Sequence, residues 1–195
     1  PNPFVISGAV TDVDCKGQST GAINVTVAPV GVYTYTWSSP SAIGQNPAGL
    51  AAGTYTVTVN LTSNPGCTVA ETFTIAEPVA TLTLNIAGFD SVKCAGSNTG
   101  YIDITANGGT PSYTYAWNKN GSAFDTTEDL SNLSTGSYGV TVTDSKGCTA
   151  QLTQNISNPI PITSSIVKTD LSCFGDQSGT ATLTVSGGKA PYTYL

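Results

Sequence analysis

Residues 133–149 read LSTGSYGVTVTDSKGCT, and residues 50–68 read LAAGTYTVTVNLTSNPGCT. Both strings carry the pattern L-x-x-G-x-Y-x-V-x-V and end in Gly-Cys-Thr. After the leucine-glycine-tyrosine element, apolar side chains stand at every second position, as in a β-strand that buries one face. A catalytic motif seldom recurs along a chain, so the recurrence predicts a structural element that each copy needs for its own fold.

The same repetition runs through the rest of the chain. Cys15, Cys94 and Cys173 each begin a C-x-G-x-x-x-G pattern and stand 79 residues apart. An alternating run follows each pattern, and then come the aromatic runs VYTYTW, SYTYAW and PYTYL. A fixed period of this length is typical of tandem modules. We predict copies at 1–78 and 79–159 and the first part of a third at 160–195, and we expect the polypeptide to continue beyond its last residue.

Each copy has the pattern of an all-β domain. Strand signals recur every 8–12 residues, and each strand alternates apolar with polar side chains. One buried and one solvated face is the mark of an antiparallel sheet, and two such sheets pack into a sandwich. We therefore predict tandem immunoglobulin-like antiparallel β-sandwiches, about 80 residues per repeat and arranged end to end.

The repeated landmarks also predict particular core positions. Trp37 and Trp117 stand where a sandwich of this type buries the tryptophan of its third strand. The L-x-x-G-x-Y element predicts a tyrosine corner, in which a glycine turns the chain and the tyrosine hydroxyl bonds back to it. The predicted corner residues are Gly53, Tyr55, Gly136 and Tyr138.

Composition excludes several functions. The 195 residues have a net charge of −6, and their only cations are six lysines, with no Arg and no His. This argues against binding to nucleic acid or to an anionic membrane surface, both of which need clustered basic side chains. No apolar run is long enough to insert into a membrane. Without histidine the common catalytic triads cannot form, so we expect no enzymatic activity and no cofactor.

The order of these landmarks resembles the SprB-type repeat. The matching elements are C-x-G-x-x-x-G, P-Y-T-Y-x-W, L-x-x-G-x-Y-x-V-x-V-x-D-x-x-G-C-T and I-x-x-P. The resemblance implies a module of very large cell-surface adhesins of gliding bacteria, exported by the type IX secretion system. It implies an extracellular, non-catalytic stalk or filament that serves attachment and gliding motility. The alternative is a carbohydrate-binding or spacer module of a secreted multidomain enzyme.

The first copy departs from this pattern in two places. It has APVGV at 28–32 where the second copy has Gly108-Gly109, and it has LTSNP where the second copy has the turn of Asp144.

The cysteines of an exported chain without histidine are better explained as disulfides than as free thiols or metal ligands. Two pairings remain open. Pairing within a copy would join Cys15 to Cys67 and Cys94 to Cys148. In an end-to-end array, Cys15 would instead join Cys148 in the next copy, and Cys94 would await a later cysteine. The disulfide candidates are Cys15, Cys67, Cys94, Cys148 and Cys173.

Two further sets of side chains invite functional interpretations. Aspartates near the early cysteines could bind Ca²⁺, but their spacing does not repeat, so solvated turn residues are the better interpretation and we predict no metal site. Paired tyrosines, from Tyr33 to Tyr194, could stack on sugar rings, although packing between sheets explains most of them. The expected partners are neighbouring repeats of the same chain and, as a further option, surface polysaccharide or other glycans.

Overall fold

A computed structural model describes residues 4–188 and 190–195, and this part of the chain contains strands, turns and no helix. A membrane-spanning helix is accordingly not found in it. The strands pair antiparallel wherever their register is defined, in hairpins and short meanders. The predicted all-β class is therefore confirmed.

The first copy forms two three-stranded sheets. The first sheet has the order β1-β2-β4 and the second the order β3-β5-β6. Its strands are β1 (Val5–Thr11), β2 (Gly21–Ala28), β3 (Tyr33–Trp37), β4 (Ala48–Leu50), β5 (Gly53–Leu61) and β6 (Asn64–Ile75).

Alternation along the strands creates the core of this sandwich. Ile23 and Val25 of β2 and Val57 and Val59 of β5 are each at most 2% exposed, while the residues between them are partly or fully exposed. Because side chains of a strand point alternately to opposite faces, the inward set from each sheet meets in one apolar cluster. Burial of such a side chain contributes roughly 1.5–3 kcal/mol relative to leaving it exposed.

The second copy repeats the plan with one addition. Its sheets have the orders β11-β8-β7 and β10-β9-β12-β13, and a further hairpin, β14-β15, belongs to the third copy. The strands are β7 (Thr83–Asp90), β8 (Gly100–Asn107), β9 (Thr114–Lys119), β10 (Ser122–Asp125), β11 (Leu130–Leu133), β12 (Gly136–Thr143), β13 (Thr149–Ile156), β14 (Thr163–Thr169) and β15 (Thr180–Ser186).

The added strand accounts for a difference between the two tryptophans. Trp117 is 2% exposed, whereas Trp37 is half-buried and packs against the apolar cluster of the first copy. Trp37 lies on β3, the edge strand of its sheet, whereas β9 is flanked by β10 on one side and β12 on the other. An edge strand has no neighbour on one side to cover its side chains.

The described chain divides into two compact units that do not coincide with the sequence copies. The first unit comprises residues 4–84, 106–114 and 142–150. The second comprises residues 85–105, 115–141, 151–188 and 190–195.

The second glycine of C-x-G-x-x-x-G is required by close packing. It opens β2 at Gly21 and β8 at Gly100. A Cβ atom at Gly21 would lie 2.7 Å from Ile75 Cγ2 and 2.9 Å from the Leu50 carbonyl oxygen, and one at Gly100 would lie 2.9 Å from Ile156 Cγ2. Only glycine lets these strands pass at that distance, which explains why the residue recurs.

Gly21→Ala tests this packing. We expect the substitution to lower the free energy of unfolding by about 1–3 kcal/mol, because the added methyl group overpacks the core against Ile75. Urea unfolding followed by tryptophan fluorescence measures the change. Gly66→Ala is the matched control, since its Cβ would meet only Asn64 Oδ1 at 3.6 Å. Equal effects of the two substitutions would contradict the packing explanation.

Candidate functional site

The structure contains a disulfide between a cysteine of the first copy and one of the second. Cys15 and Cys148 are bonded with their Cα atoms 5.7 Å apart, and both belong to the first unit. The other three cysteines carry free thiols, half-buried at Cys67 and exposed at Cys94 and Cys173. The structure thus differs from the pairing within a copy, and it leaves three of the five disulfide candidates unbonded.

The length of β6 explains why Cys15 does not bond to Cys67. Cys67 lies near the start of β6, where Thr68 pairs with Asn60. The segment around Cys15 contacts the other end of that strand, since Val13 N donates to the Ala76 carbonyl oxygen at 2.9 Å. Eight residues of strand separate positions 67 and 75, a distance of roughly 26 Å. Bridged Cα atoms lie no more than about 7 Å apart, so the two cysteines of one copy cannot meet.

Cys15 is held in a tight turn. Gln18 N donates to the Cys15 carbonyl oxygen at 3.0 Å, and Gly17, the third residue of the turn, has φ of 80°. A type II turn needs a positive φ at this position, which accounts for the first glycine of C-x-G-x-x-x-G. Two further hydrogen bonds hold this segment in place. The Glu77 carboxylate accepts one from Gly17 N at 2.7 Å, and Thr20 Oγ1 accepts one from Asp14 N at 2.9 Å.

Cys148 is positioned by a buried aspartate in the hairpin between β12 and β13. Asp144 is 5% exposed and is the buried acidic residue of the described chain. Its Oδ1 accepts hydrogen bonds from Lys146 N and Cys148 N, both at 2.9 Å, and its Oδ2 accepts one from Thr110 N at 2.8 Å. The carboxylate therefore closes its own turn and ties that turn to the loop after β8.

These hydrogen bonds set the ionisation of Asp144. Burial on its own would raise the pKa of this carboxyl group. The backbone N–H groups of Thr110, Cys148, Lys146 and Gly147 favour the charged form more strongly and hold the pKa below its ordinary value. The buried carboxylate is therefore ionised at neutral pH, when each bond it accepts is charge-assisted.

The two departures of the first copy from the repeat pattern are explained by one contact. A Cβ atom at Gly109 would lie 2.5 Å from Asp144 Oδ2, so the Asp144 turn needs glycine in the loop opposite. The first copy has neither residue: LTSNP replaces the aspartate turn and APVGV replaces Gly-Gly. Asp144 and Gly109 are thus matched to one another, and the first copy lacks both.

Around the disulfide lies a surface cleft of about 350 Å³. It is mainly polar, and at its rim Lys146 Nζ lies 3.8 Å from Asp14 Oδ1. This exposed ion pair contributes at most about 1 kcal/mol. No group of three His, Cys, Asp or Glu side chains suited to a metal occurs among residues 4–188 and 190–195. Asp12, one of the early aspartates, makes a long-range structural contact, since its Oδ1 accepts a hydrogen bond from Ala76 N at 2.8 Å.

The predicted corner residues adopt the geometry of a tyrosine corner in both copies. Tyr138 is fully buried, and its hydroxyl donates to the Ser134 carbonyl oxygen at 2.8 Å. The Tyr55 hydroxyl donates to the Ala51 carbonyl oxygen at 2.9 Å, again four residues back. The glycines at 53 and 136 open the strands that carry these tyrosines.

The first tyrosine of each Y-T-Y run also bonds back to the preceding loop. The Tyr33 hydroxyl donates to the Pro29 carbonyl oxygen and the Tyr113 hydroxyl to the Gly108 carbonyl oxygen, each at 2.7 Å. Tyr192 donates to Gly187 in the third copy. This recurring hydrogen bond gives the tyrosine a structural role. From the sequence alone, that role was open between packing and stacking on a sugar.

Comparison with known proteins identifies the repeat. The family model of the SprB repeat matches the chain three times, over residues 7–42, 89–122 and 165–195, together just over half of its length. Each match contains one early cysteine turn and the strand that follows it. No curated protein sequence matches the chain.

Solved structures share the fold at low sequence identity. The three N-terminal domains of the bacteriophage RB49 Highly Immunogenic Outer Capsid protein are 20% identical, with a TM-score of 0.53, over 96% of this chain and 70% of that one. This likeness supports the predicted immunoglobulin-like class and nothing beyond the fold. The C-terminal 282-residue fragment of intimin, in complex with the intimin-binding domain of its translocated receptor, is 18% identical over 82% of this chain and 66% of that one. Its TM-score is 0.38.

Replacing Cys148 with Ser tests the role of the disulfide. A crosslink between residues 133 positions apart restricts the unfolded chain, so we expect the free energy of unfolding to fall by about 2–5 kcal/mol. Urea unfolding under non-reducing conditions measures the loss. The control is Cys173→Ser, which removes an exposed thiol and should change stability by less than about 0.5 kcal/mol. Recovery of a Cys15–Cys67 peptide from the non-reduced native chain would contradict the assignment.

Replacing Asp144 with Asn tests the buried carboxylate. We expect a loss of about 1–3 kcal/mol at pH 7, because the amide leaves buried N–H groups without a charged acceptor. Since the folded-state pKa is lowered, this stabilisation is present above the unfolded-state pKa of about 3.9 and is lost as pH falls through the folded-state value. Urea unfolding between pH 7 and pH 2 should therefore show a steeper loss for the native chain than for the variant.

The exposed Glu128 provides the control for this titration. Glu128→Gln should leave both the stability at pH 7 and its pH dependence nearly unchanged. An Asp144→Asn variant with the same acid dependence as the native chain would show that another group controls it.

Proposed function

Because the chain belongs to the SprB repeat family, we propose that it is a non-catalytic structural and adhesive segment of a large extracellular surface adhesin. In this proposal the repeats form a stalk or filament that serves surface attachment and gliding motility, and the type IX secretion system exports it. The family is one of cell-surface proteins, which supports a position of this segment outside the cell.

The Cys15–Cys148 bond is the observation that most supports this role. Disulfides persist in oxidising compartments such as the cell exterior. This one also joins two copies covalently, whereas tandem domains by default move relative to one another. A segment that must transmit force between an attachment point and the cell benefits from such a bond, because pulling on the chain cannot separate residues 15 and 148.

The chemistry of the side chains supports a non-catalytic role. The sequence has no histidine, and the one buried carboxylate among residues 4–188 and 190–195, Asp144, accepts hydrogen bonds from two backbone N–H groups of its own turn and one of the loop after β8. A general acid or base needs hydrogen-bonding capacity that can face a substrate, and a carboxylate with both oxygens engaged in structure offers little.

One observation favours the second candidate, a carbohydrate-binding module. β10 of the second copy carries Phe124, which is 46% exposed and lies edge-on to Tyr138 with ring centroids 5.3 Å apart. Residues 38–47 of the first copy, all of them described, contain no corresponding strand. An exposed aromatic ring present in one copy, beside the polar Asp125 and Thr126 of a shallow cleft, suits stacking against a sugar.

Antibodies against the purified chain test the proposed function on live source cells. We expect them to label the cell surface, to follow moving attachment sites, and to detect a very large polypeptide on a denaturing gel. Attachment of cells to glass should fall when the encoding segment is deleted in frame. Labelling only after the cells are opened would overturn the proposal.

A glycan array separates the two candidates. Binding of the chain to a defined glycan that is lost in Phe124→Ala, together with a modest polypeptide that carries a catalytic domain, would favour the carbohydrate-binding module. The control is Val30→Ala, an exposed apolar side chain on a loop of the first copy.

A further inference from the structure

We propose that Cys94 is the attachment point of a second disulfide, and that its partner is the cysteine of the late Gly-Cys-Thr hairpin in a further repeat of this family. The first copy provides the precedent, since its early Cys15 is bonded to the late Cys148 of the copy that follows. A crosslink at Cys94 does not depend on adhesion, so its absence would leave the proposed function standing.

The chain builds the same turn around Cys94 as around Cys15. Ser97 N donates to the Cys94 carbonyl oxygen at 3.0 Å, and Gly96 has φ of 78°. The Thr99 hydroxyl accepts a hydrogen bond from Lys93 N at 2.8 Å. Each of these features has its equivalent 79 residues earlier, at nearly the same distance or angle, in the turn that carries the bonded Cys15.

Pairing of Cys94 within its own copy is excluded by strand length. The segment before Cys94 lies at the far end of β13, where Ser91 Oγ accepts a hydrogen bond from Ser157 N at 3.1 Å. Cys148 precedes the start of that strand, so eight residues and roughly 26 Å separate the two positions. Cys148 is in any case bonded to Cys15, and Cys94 keeps an exposed thiol.

The surface beside Cys94 also repeats the surface beside Cys15. A cleft of about 220 Å³ lies next to it, lined by Asp90, Val92, Lys93 and Gly188 among others. Gly188 is the equivalent of Gly109, which lines the cleft beside the observed disulfide. Both early-cysteine turns are therefore flanked by a recess that the second glycine of the next copy's Gly-Gly pair lines.

The charged residues next to the cysteines indicate the sequence of the partner hairpin. In the observed junction Asp14, just before the early cysteine, pairs with Lys146, two residues before the late cysteine. The residue before Cys94 is Lys93, so the charge is reversed. A hairpin with a lysine in the place of Lys146 would set like charges together, whereas an acidic residue there would restore the pair. We therefore infer a partner hairpin with an acidic residue two positions before its cysteine.

The bond forms by thiol–disulfide exchange. Cys94 and the partner cysteine each lose a proton and together lose two electrons as their sulfur atoms join. A disulfide oxidant, such as oxidised glutathione or an oxidoreductase disulfide, accepts the two electrons and two protons and leaves as two thiols.

An extended chain tests the proposal. Residues 117–159 are repeated after Leu195, which completes the third copy and adds one late hairpin. Two matched versions carry either the native lysine or glutamate two residues before the added cysteine. After refolding in a glutathione redox buffer, peptide mapping should find Cys15–Cys148 and a bond from Cys94 to the added cysteine. The glutamate version should form the second bond several-fold faster at low salt, with the advantage shrinking as salt rises.

The mapping distinguishes the source of the partner. A second bond found in monomers at every protein concentration comes from the same chain, whereas covalent dimers that increase with concentration come from another molecule. Either result supports the pairing of an early with a late cysteine. An added cysteine bonded to Cys173, or left free while Cys15–Cys148 forms, would overturn the proposal.

A second measurement does not depend on folding of the added segment. In a Cys148→Ser variant of the 195-residue chain, Cys15 becomes free in the same kind of turn as Cys94. Both thiols should react with oxidised glutathione at rates within about threefold of each other. A Cys94 that reacts more than about tenfold more slowly would show that its thiol cannot reach a partner and would equally overturn the proposal.

Discussion

The ionised carboxylate of Asp144 is the interaction on which the junction between copies depends. It is buried, and it is stable there because backbone N–H groups from its own turn and from Thr110 surround it. A buried charge without such donors would cost several kcal/mol. Because one of those donors belongs to Cys148 itself, the carboxylate fixes the backbone of the half-cystine that reaches Cys15.

The parts of this fold that could be predicted from sequence are those governed by local periodicity. Period-two alternation located β2, β5 and their counterparts, because one face of each strand must be buried and the other solvated. The tyrosine corner could be predicted because its hydrogen bond joins residues four apart, as in Tyr138 and Ser134. The recurring glycines marked tight places, although which atoms crowd Gly21 became clear only in the structure.

The parts that could not be predicted depend on contacts between distant residues. Asp144 was visible as a turn residue, but its bond to Thr110 spans 34 positions and gives no periodic signal. The half-exposed state of Trp37 follows from its place on an edge strand, and strand order is not encoded in one strand's pattern. The disulfide pairing stayed open for the same reason, since it required knowing which end of β6 each cysteine occupies.

These contacts change what should be regarded as one unit of the array. The sequence copies are natural units for the core, because each contains its own inward-facing strands. The covalent unit is different, since Cys15 of one copy and Cys148 of the next complete a single bond. The compact units follow this second division, with residues 106–114 and 142–150 grouped with the first copy. A fragment cut at residue 78 would keep a sandwich core but lose the loop, the aspartate turn and the half-cystine that complete it. The Cys15–Cys148 junction therefore consists of two halves, an early cysteine turn from the first copy and a late aspartate hairpin from the second.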